Sequence, residues 1–94
     1  MARQSARELV VFNQLNLKAY PNPSENVFTL QVESDNLKDK ISLRIFDMAG
    51  RTIQTFTNLS PGQTLKVGSN YKIGVYFIDM MQGDKHKQVK LVKQ

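Results

Sequence analysis

The chain has no cysteine, no tryptophan and a single histidine. Without cysteine there is no disulfide framework, no thiolate zinc site and no thiol nucleophile. With His86 alone, no cluster of imidazoles is available to hold a metal. No apolar run is long enough to cross a bilayer as a helix. Residues 1–14 start basic, but their apolar part, Leu9-Val10-Val11-Phe12, is too short to serve as a secretory signal. No Gly-x-Ser-x-Gly elbow frames a serine, and no glycine-rich loop could cradle a phosphate. Ser24, Ser34, Ser42, Ser60 and Ser69 fall in turn-like or outward positions. Asp35, Asp39, Asp47, Asp79 and Asp84 fall mainly in turns, where capping or solvation accounts for them. These lacks point away from an enzyme, and no cofactor is expected.

What is present is an ordinary globular composition in 94 residues, enough for one domain with one core. Thirteen basic residues face eight acidic ones, for a net charge of +5. Most of the cations are scattered singly. Lys85, Lys87, Lys90 and Lys93 cluster along the last stretch, where they read as charges protecting an edge strand. That stretch has no aromatic residue among its lysines, so nucleic acid is not an expected partner.

Hydrophobic residues alternate with polar ones in short runs separated by turn signals, the pattern of half-buried strands. Leu15, Leu17 and Ala19 form the first such set, then Phe28, Leu30 and Val32, then Ile41, Leu43 and Ile45. Further strands are expected at Arg51–Thr57, Thr64–Val67, Gly74–Met81 and His86–Lys93. Asp47–Gly50, Asn58–Gly62 and Gln82–Asp84 are expected as the turns between them. Seven short alternating strands without a helix predict an all-β fold, an immunoglobulin-like antiparallel sandwich. Parity places Tyr76, Ile78 and Met80 inward with Leu43 and Ile45. It leaves Arg44, Phe46, Val75, Phe77 and Asp79 outward. Phe46 and Phe77 then form an apolar surface strip, a candidate partner surface.

Three segments stand apart from this background. The first is Tyr20-Pro21-Asn22-Pro23, in which two prolines set a rigid corner and Asn22 can add an Asx-type bond, ahead of Phe28-Thr29-Leu30. The second is Leu43-Arg44-Ile45-Phe46-Asp47-Met48-Ala49-Gly50-Arg51, a strand running into a Gly-Arg turn. The third is Gly74-Val75-Tyr76-Phe77-Ile78, followed by Val89-Lys90-Leu91-Val92-Lys93. In order and spacing these segments resemble the C-terminal sorting domain of the type IX secretion system of Gram-negative bacteria of the Bacteroidetes group, over roughly residues 15–94.

The resemblance implies a signal rather than a catalyst. Such a domain directs an attached cargo through the periplasm to an outer-membrane translocon and on to the cell surface or medium. A sortase-like peptidase commonly removes it on surface anchoring. The expected partners are therefore the type IX translocon, the sortase-like peptidase and an upstream cargo domain. On this reading residues 1–14 are a linker, a cargo remnant or a segment introduced by cloning, and residues 15–94 are the sorting domain. Any scissile bond would fall within or before residues 1–16.

The sorting-motif residues are Tyr20, Pro21, Asn22, Pro23, Gly50, Arg51, Gly74, Tyr76, Lys90 and Lys93. Each also has a structural reading. Gly50 supplies positive φ at a turn, Arg51 can pair with Asp47, Gly74 permits a bend, and Tyr76 faces the core with its hydroxyl bonded. The alternative function is a carbohydrate-binding or adhesive sandwich. The lack of tryptophan and the total of eight Phe and Tyr residues weigh against it.

Overall fold

The computed structural model describes residues 14–94. The expected linker therefore lies outside the described residues, except for Gln14. Seven strands follow in order: β1 (Leu15–Tyr20), β2 (Phe28–Ser34), β3 (Ile41–Asp47), β4 (Thr52–Leu59), β5 (Thr64–Val67), β6 (Gly74–Gln82) and β7 (Lys85–Lys93). They form two antiparallel sheets, one ordered β1-β2-β5 and the other β4-β3-β6-β7. This is the immunoglobulin-like arrangement, with the fourth strand bonded to the third instead of joining the first sheet. No helix occurs among the described residues.

The alternation in sequence becomes the core. Phe28, Leu30 and Val32 of β2 meet Ile41, Leu43 and Ile45 of β3 and Tyr76, Ile78 and Met80 of β6 between the sheets. Most are wholly inaccessible to water. Each such aliphatic or aromatic side chain contributes about 1.5–3 kcal/mol of burial free energy. Packing is close enough to reach the backbone. At Gly68 (φ +99°), just past β5, a Cβ would stand 2.8 Å from Cδ2 of Phe28, so only glycine fits.

Four strand boundaries differ from the sequence expectation, the smallest being the start of β4 at Thr52 instead of Arg51. β4 extends through Asn58 to Leu59, because the Leu59 side chain is buried in the core and ties down what reads as a loop. β6 continues through Gln82, whose amide is buried and fully used. It donates to the carbonyls of Asn36 and Asp39, both at 2.8 Å, and accepts from the Ser34 hydroxyl. With Gln82 paired to Lys85, the last hairpin narrows to Gly83-Asp84. These bonds lock one end of the sandwich, the end from which the chain enters at Leu15, opposite Ser34.

Open strand edges invite pairing with other chains, and each edge here carries a different safeguard. β5 is only four residues long. β4 has no charge, but its register against β3 slips twice, and Asn58 adopts φ +59° within one slip. Such irregularities interrupt the straight row of donors and acceptors that a partner strand would need. β1 carries Lys18, paired with Glu33 of β2 at 3.3 Å. β7 is protected by neighbouring chain, as follows.

Candidate functional site

Pairing registers bring the three motif segments to one end of the sandwich. Asp47 at the end of β3 lies opposite Tyr76, and Gly74 at the start of β6 lies opposite Lys93 near the end of β7. In the other sheet, Tyr20 pairs with Thr29, and Phe28 pairs with Val67. A parallel bridge between Ser24 and Lys93 joins the two groups.

The first motif covers the outer edge of β7. The Asn22 side chain donates from Nδ2 to the Lys90 carbonyl at 2.8 Å and accepts from the Val92 amide at 3.0 Å. The Ser24 amide donates to the Val92 carbonyl at 3.0 Å, and the Gln94 amide donates to the Ser24 carbonyl at 2.8 Å. One side-chain amide and one backbone unit thus imitate an eighth strand over the last turns of β7. Asn22 was expected to make a local Asx bond; its partners instead lie about seventy residues away, because the proline corner turns its amide onto β7. Both proline bonds, Tyr20-Pro21 and Asn22-Pro23, are cis.

Ser24 sits in a turn-like corner, as expected, but is buried there. Its hydroxyl donates to the Val27 carbonyl at 2.6 Å and accepts from the Asn26 amide at 3.1 Å, closing the corner. Alternate residues of an antiparallel strand point their backbone groups to the same side. The part of this edge left open is therefore that of His86 and Gln88, flanked by Lys85 and Lys87.

Lys93 also corrects the sequence reading. It was grouped with the exposed lysines guarding the edge, yet only 6% of it is accessible. Parity explains the difference: Val89, Leu91 and Lys93 face inward, whereas Lys90 faces water. The Lys93 ammonium donates to the carbonyls of Asn26 and Gly68, which belong to the loops after β1 and after β5. It clamps the end of one sheet onto the loops of the other.

The second motif is a self-contained turn. Oδ1 of Asp47 accepts from the amides of Ala49 and Arg51, at 3.0 and 2.9 Å, and Oδ2 accepts from Arg51 Nε at 2.8 Å. The Gly50 amide donates back to the Asp47 carbonyl. Gly50 sits at φ +85° with open space where a Cβ would be, so a side chain there would be strained by backbone geometry and not by crowding. These hydrogen bonds, led by the Arg51 amide, hold the Asp47 carboxyl below the usual carboxylate range.

Behind the turn, Tyr76 packs its ring on Tyr71 with centroids 4.7 Å apart and donates its hydroxyl to the Lys72 carbonyl at 2.7 Å. Tyr71 donates to Gln54 of β4 at 2.6 Å, and burial pushes its own pKa up to about 12. Arg51, Thr52, Ile53, Asn70 and Lys72 border a cavity of ≈ 390 Å³ over these two rings. Sequence reasoning missed Tyr71, Ser24 and Asn26. Tyr71 stands in a polar stretch with no periodicity to expose its burial; Asn26 acts through its backbone, and Ser24 through its backbone and a hydroxyl bonded within the corner.

Phe46 and Phe77 lie apart from this end-face contact, opposite each other on the outer face of the four-stranded sheet. Their rings stack with centroids 5.7 Å apart, and the Arg44 guanidinium covers Phe46 at 4.6 Å. Both are half-buried by these contacts. Asp79 beside them accepts from Gln88 at 2.8 Å and Arg44 at 3.3 Å. Those bonds, with Gln88 foremost, lower its pKa.

Fold and site together define a small all-β module whose distinguishing residues close one end of the sandwich. A family model described as Secretion system C-terminal sorting domain matches residues 18–94. The chain belongs to that family. A comparison with curated proteins found no match. The domain is a C-terminal sorting signal for type IX secretion, which implies export to the cell surface or extracellular space. The family is not known as enzymatic, and the match gives the carbohydrate-binding alternative no support.

Two predictions follow from this geometry. Lys93→Met leaves the carbonyls of Asn26 and Gly68 without their donor and should cost about 2–4 kcal/mol in urea unfolding of the purified chain. Unchanged stability would mean that the clamp contributes nothing. Asp47→Asn tests the turn. Because the folded pKa of Asp47 is depressed, its contribution is complete above the unfolded value, about 4. That contribution is lost as pH falls through the lower folded value. The variant should melt below the parent at pH 7, and the gap should narrow as the pH falls below the unfolded value. A gap that persists undiminished in acid would contradict the assignment.

Proposed function

We propose that the end of the sandwich where the three motifs meet is the face read by the type IX translocon as it exports an upstream cargo from the periplasm. The observation that carries this reading is the convergence of Tyr20–Pro23, Gly50-Arg51, Gly74–Tyr76 and Lys90–Lys93 on one end. The chain preceding Leu15 departs from the other end. A cargo attached there, through residues 1–14, would leave the motif end free.

Most motif residues act by building this face. Asn22, Gly50, Tyr76 and Lys93 are used by the fold itself. Arg51 is different, because it is 80% exposed and its guanidinium is bonded to Asp47 through one nitrogen only. Arg51 and the exposed Lys90 are the side chains that the face offers to a partner. The stacked Phe46 and Phe77 supply a second, more apolar surface for the same machinery. The sortase-like peptidase then acts on the segment before β1, ahead of Leu15. The domain itself has no catalytic role in this scheme.

Fusion of the whole chain behind a soluble periplasmic reporter, in a bacterium with a working type IX system, should deliver the reporter to the surface or medium. Removal of Lys87–Gln94 should trap it in the periplasm. Arg51→Gln should lower export without a comparable loss of melting temperature. Export of the truncated fusion at the parental level would overturn the reading of the domain. Full export of the Arg51→Gln fusion would remove Arg51 from the recognised face.

A further inference from the structure

We propose that the turns at the motif end form a tip that seats on an anionic lipid surface. The observation is an arrangement of side chains the fold does not need. Met48, at the head of the β3–β4 turn, is 71% exposed, and Ile73, just before β6, is 80% exposed. Both border one depression of ≈ 310 Å³, so the two turns stand side by side. Turn tips ordinarily carry Gly, Asn, Asp, Ser or Pro, whose local bonding and backbone freedom suit them there. Two large apolar side chains on neighbouring tips stay in water in the isolated domain and gain little of the free energy that burial would give.

The charges around them have one sign left over. Arg51 and Lys72 border the same depression, beside Met48 and Ile73 respectively. The only acidic residue on its walls is Asp47, already engaged by Arg51 and two backbone amides. Apolar side chains at a tip, with cations next to them, match the layering of an anionic membrane surface. The side chains enter the acyl boundary and the cations stay with the phosphates. Charge complementarity therefore favours phospholipid with anionic headgroups as the occupant. The contact is reversible, since two side chains bury far less surface than an anchoring acyl chain. It does not depend on which residues the translocon reads.

Flotation of the full 94-residue chain with vesicles provides the test. It should float with vesicles of mixed phosphatidylglycerol and phosphatidylcholine and stay below with pure phosphatidylcholine. Met48→Ser combined with Ile73→Ser should reduce partitioning about tenfold or more. Lys72→Gln should weaken it further, as should raised salt. Leu37→Ser, at an equally exposed leucine of the opposite end, should change nothing. Thermal melting of each variant checks that the fold survives, which these exposed positions should allow.

Three outcomes would overturn the proposal. The first is no flotation with anionic vesicles. The second is flotation that the double serine variant leaves intact, which would reduce the effect to the general +5 charge. The third is a tip that cross-links to a protein of intact outer membranes yet ignores protein-free vesicles. Loss of vesicle binding with unchanged reporter export would leave the sorting function standing, so the two readings fail separately.

Discussion

The outer edge of β7 near its end is the constraint on which the rest of the motif end depends. A strand of nine residues ending at Lys93 would leave alternate backbone groups of Lys90, Val92 and Gln94 facing outward. Asn22 and Ser24 satisfy them with four hydrogen bonds, and the Lys93 ammonium reaches the other way into two loops. Buried or half-buried backbone groups without partners would each cost free energy comparable to a lost hydrogen bond. The proline corner and the last strand therefore hold one another in place. Either one alone would leave the other with an open edge.

This arrangement also accounts for the chemistry of the residues involved. Asparagine offers a donor and an acceptor on one planar group, which matches the alternating carbonyl and amide of a strand edge. Aspartate would keep the acceptor and lose the donor. A lysine suits the inward position 93 because two carbonyls accept from its ammonium, where an apolar side chain would leave them bare. Gly68 serves the same region twice, since its carbonyl receives Lys93 and its missing side chain admits Phe28.

Much of this was legible in the sequence, and the limits of legibility have physical causes. The strands were readable because Phe28-Leu30-Val32, Ile41-Leu43-Ile45 and Tyr76-Ile78-Met80 alternate without interruption, and alternation is the direct imprint of a two-sided sheet. Gly50 and the Asp47–Arg51 pair were readable because a four-residue turn is a local event. Lys93 was misread because charge suggested exposure while parity, which places it on the Leu91 face, was not given precedence. Asn22 was misread because its partners depend on how the two sheets stack. Leu59 and Gln82 extended their strands for the same reason, each held by tertiary contacts that no local signal announces.

The three motif segments thus build a folded end-face through bonds of their own. If this end-face is what the translocon reads, the signal is conformational: segments distant in sequence are presented together only when the last strand is in place and its edge is covered. Amide hydrogen exchange on the purified chain and on Asn22→Ala tests that claim most directly. In the parent, the amides of Val92 and Gln94 should exchange as slowly as core amides of β3 and β6. In Asn22→Ala, Val92 should exchange far faster while the β3 core stays protected. Equal protection of Val92 in both proteins would contradict the account, because the edge of β7 would then be held by something other than the proline corner.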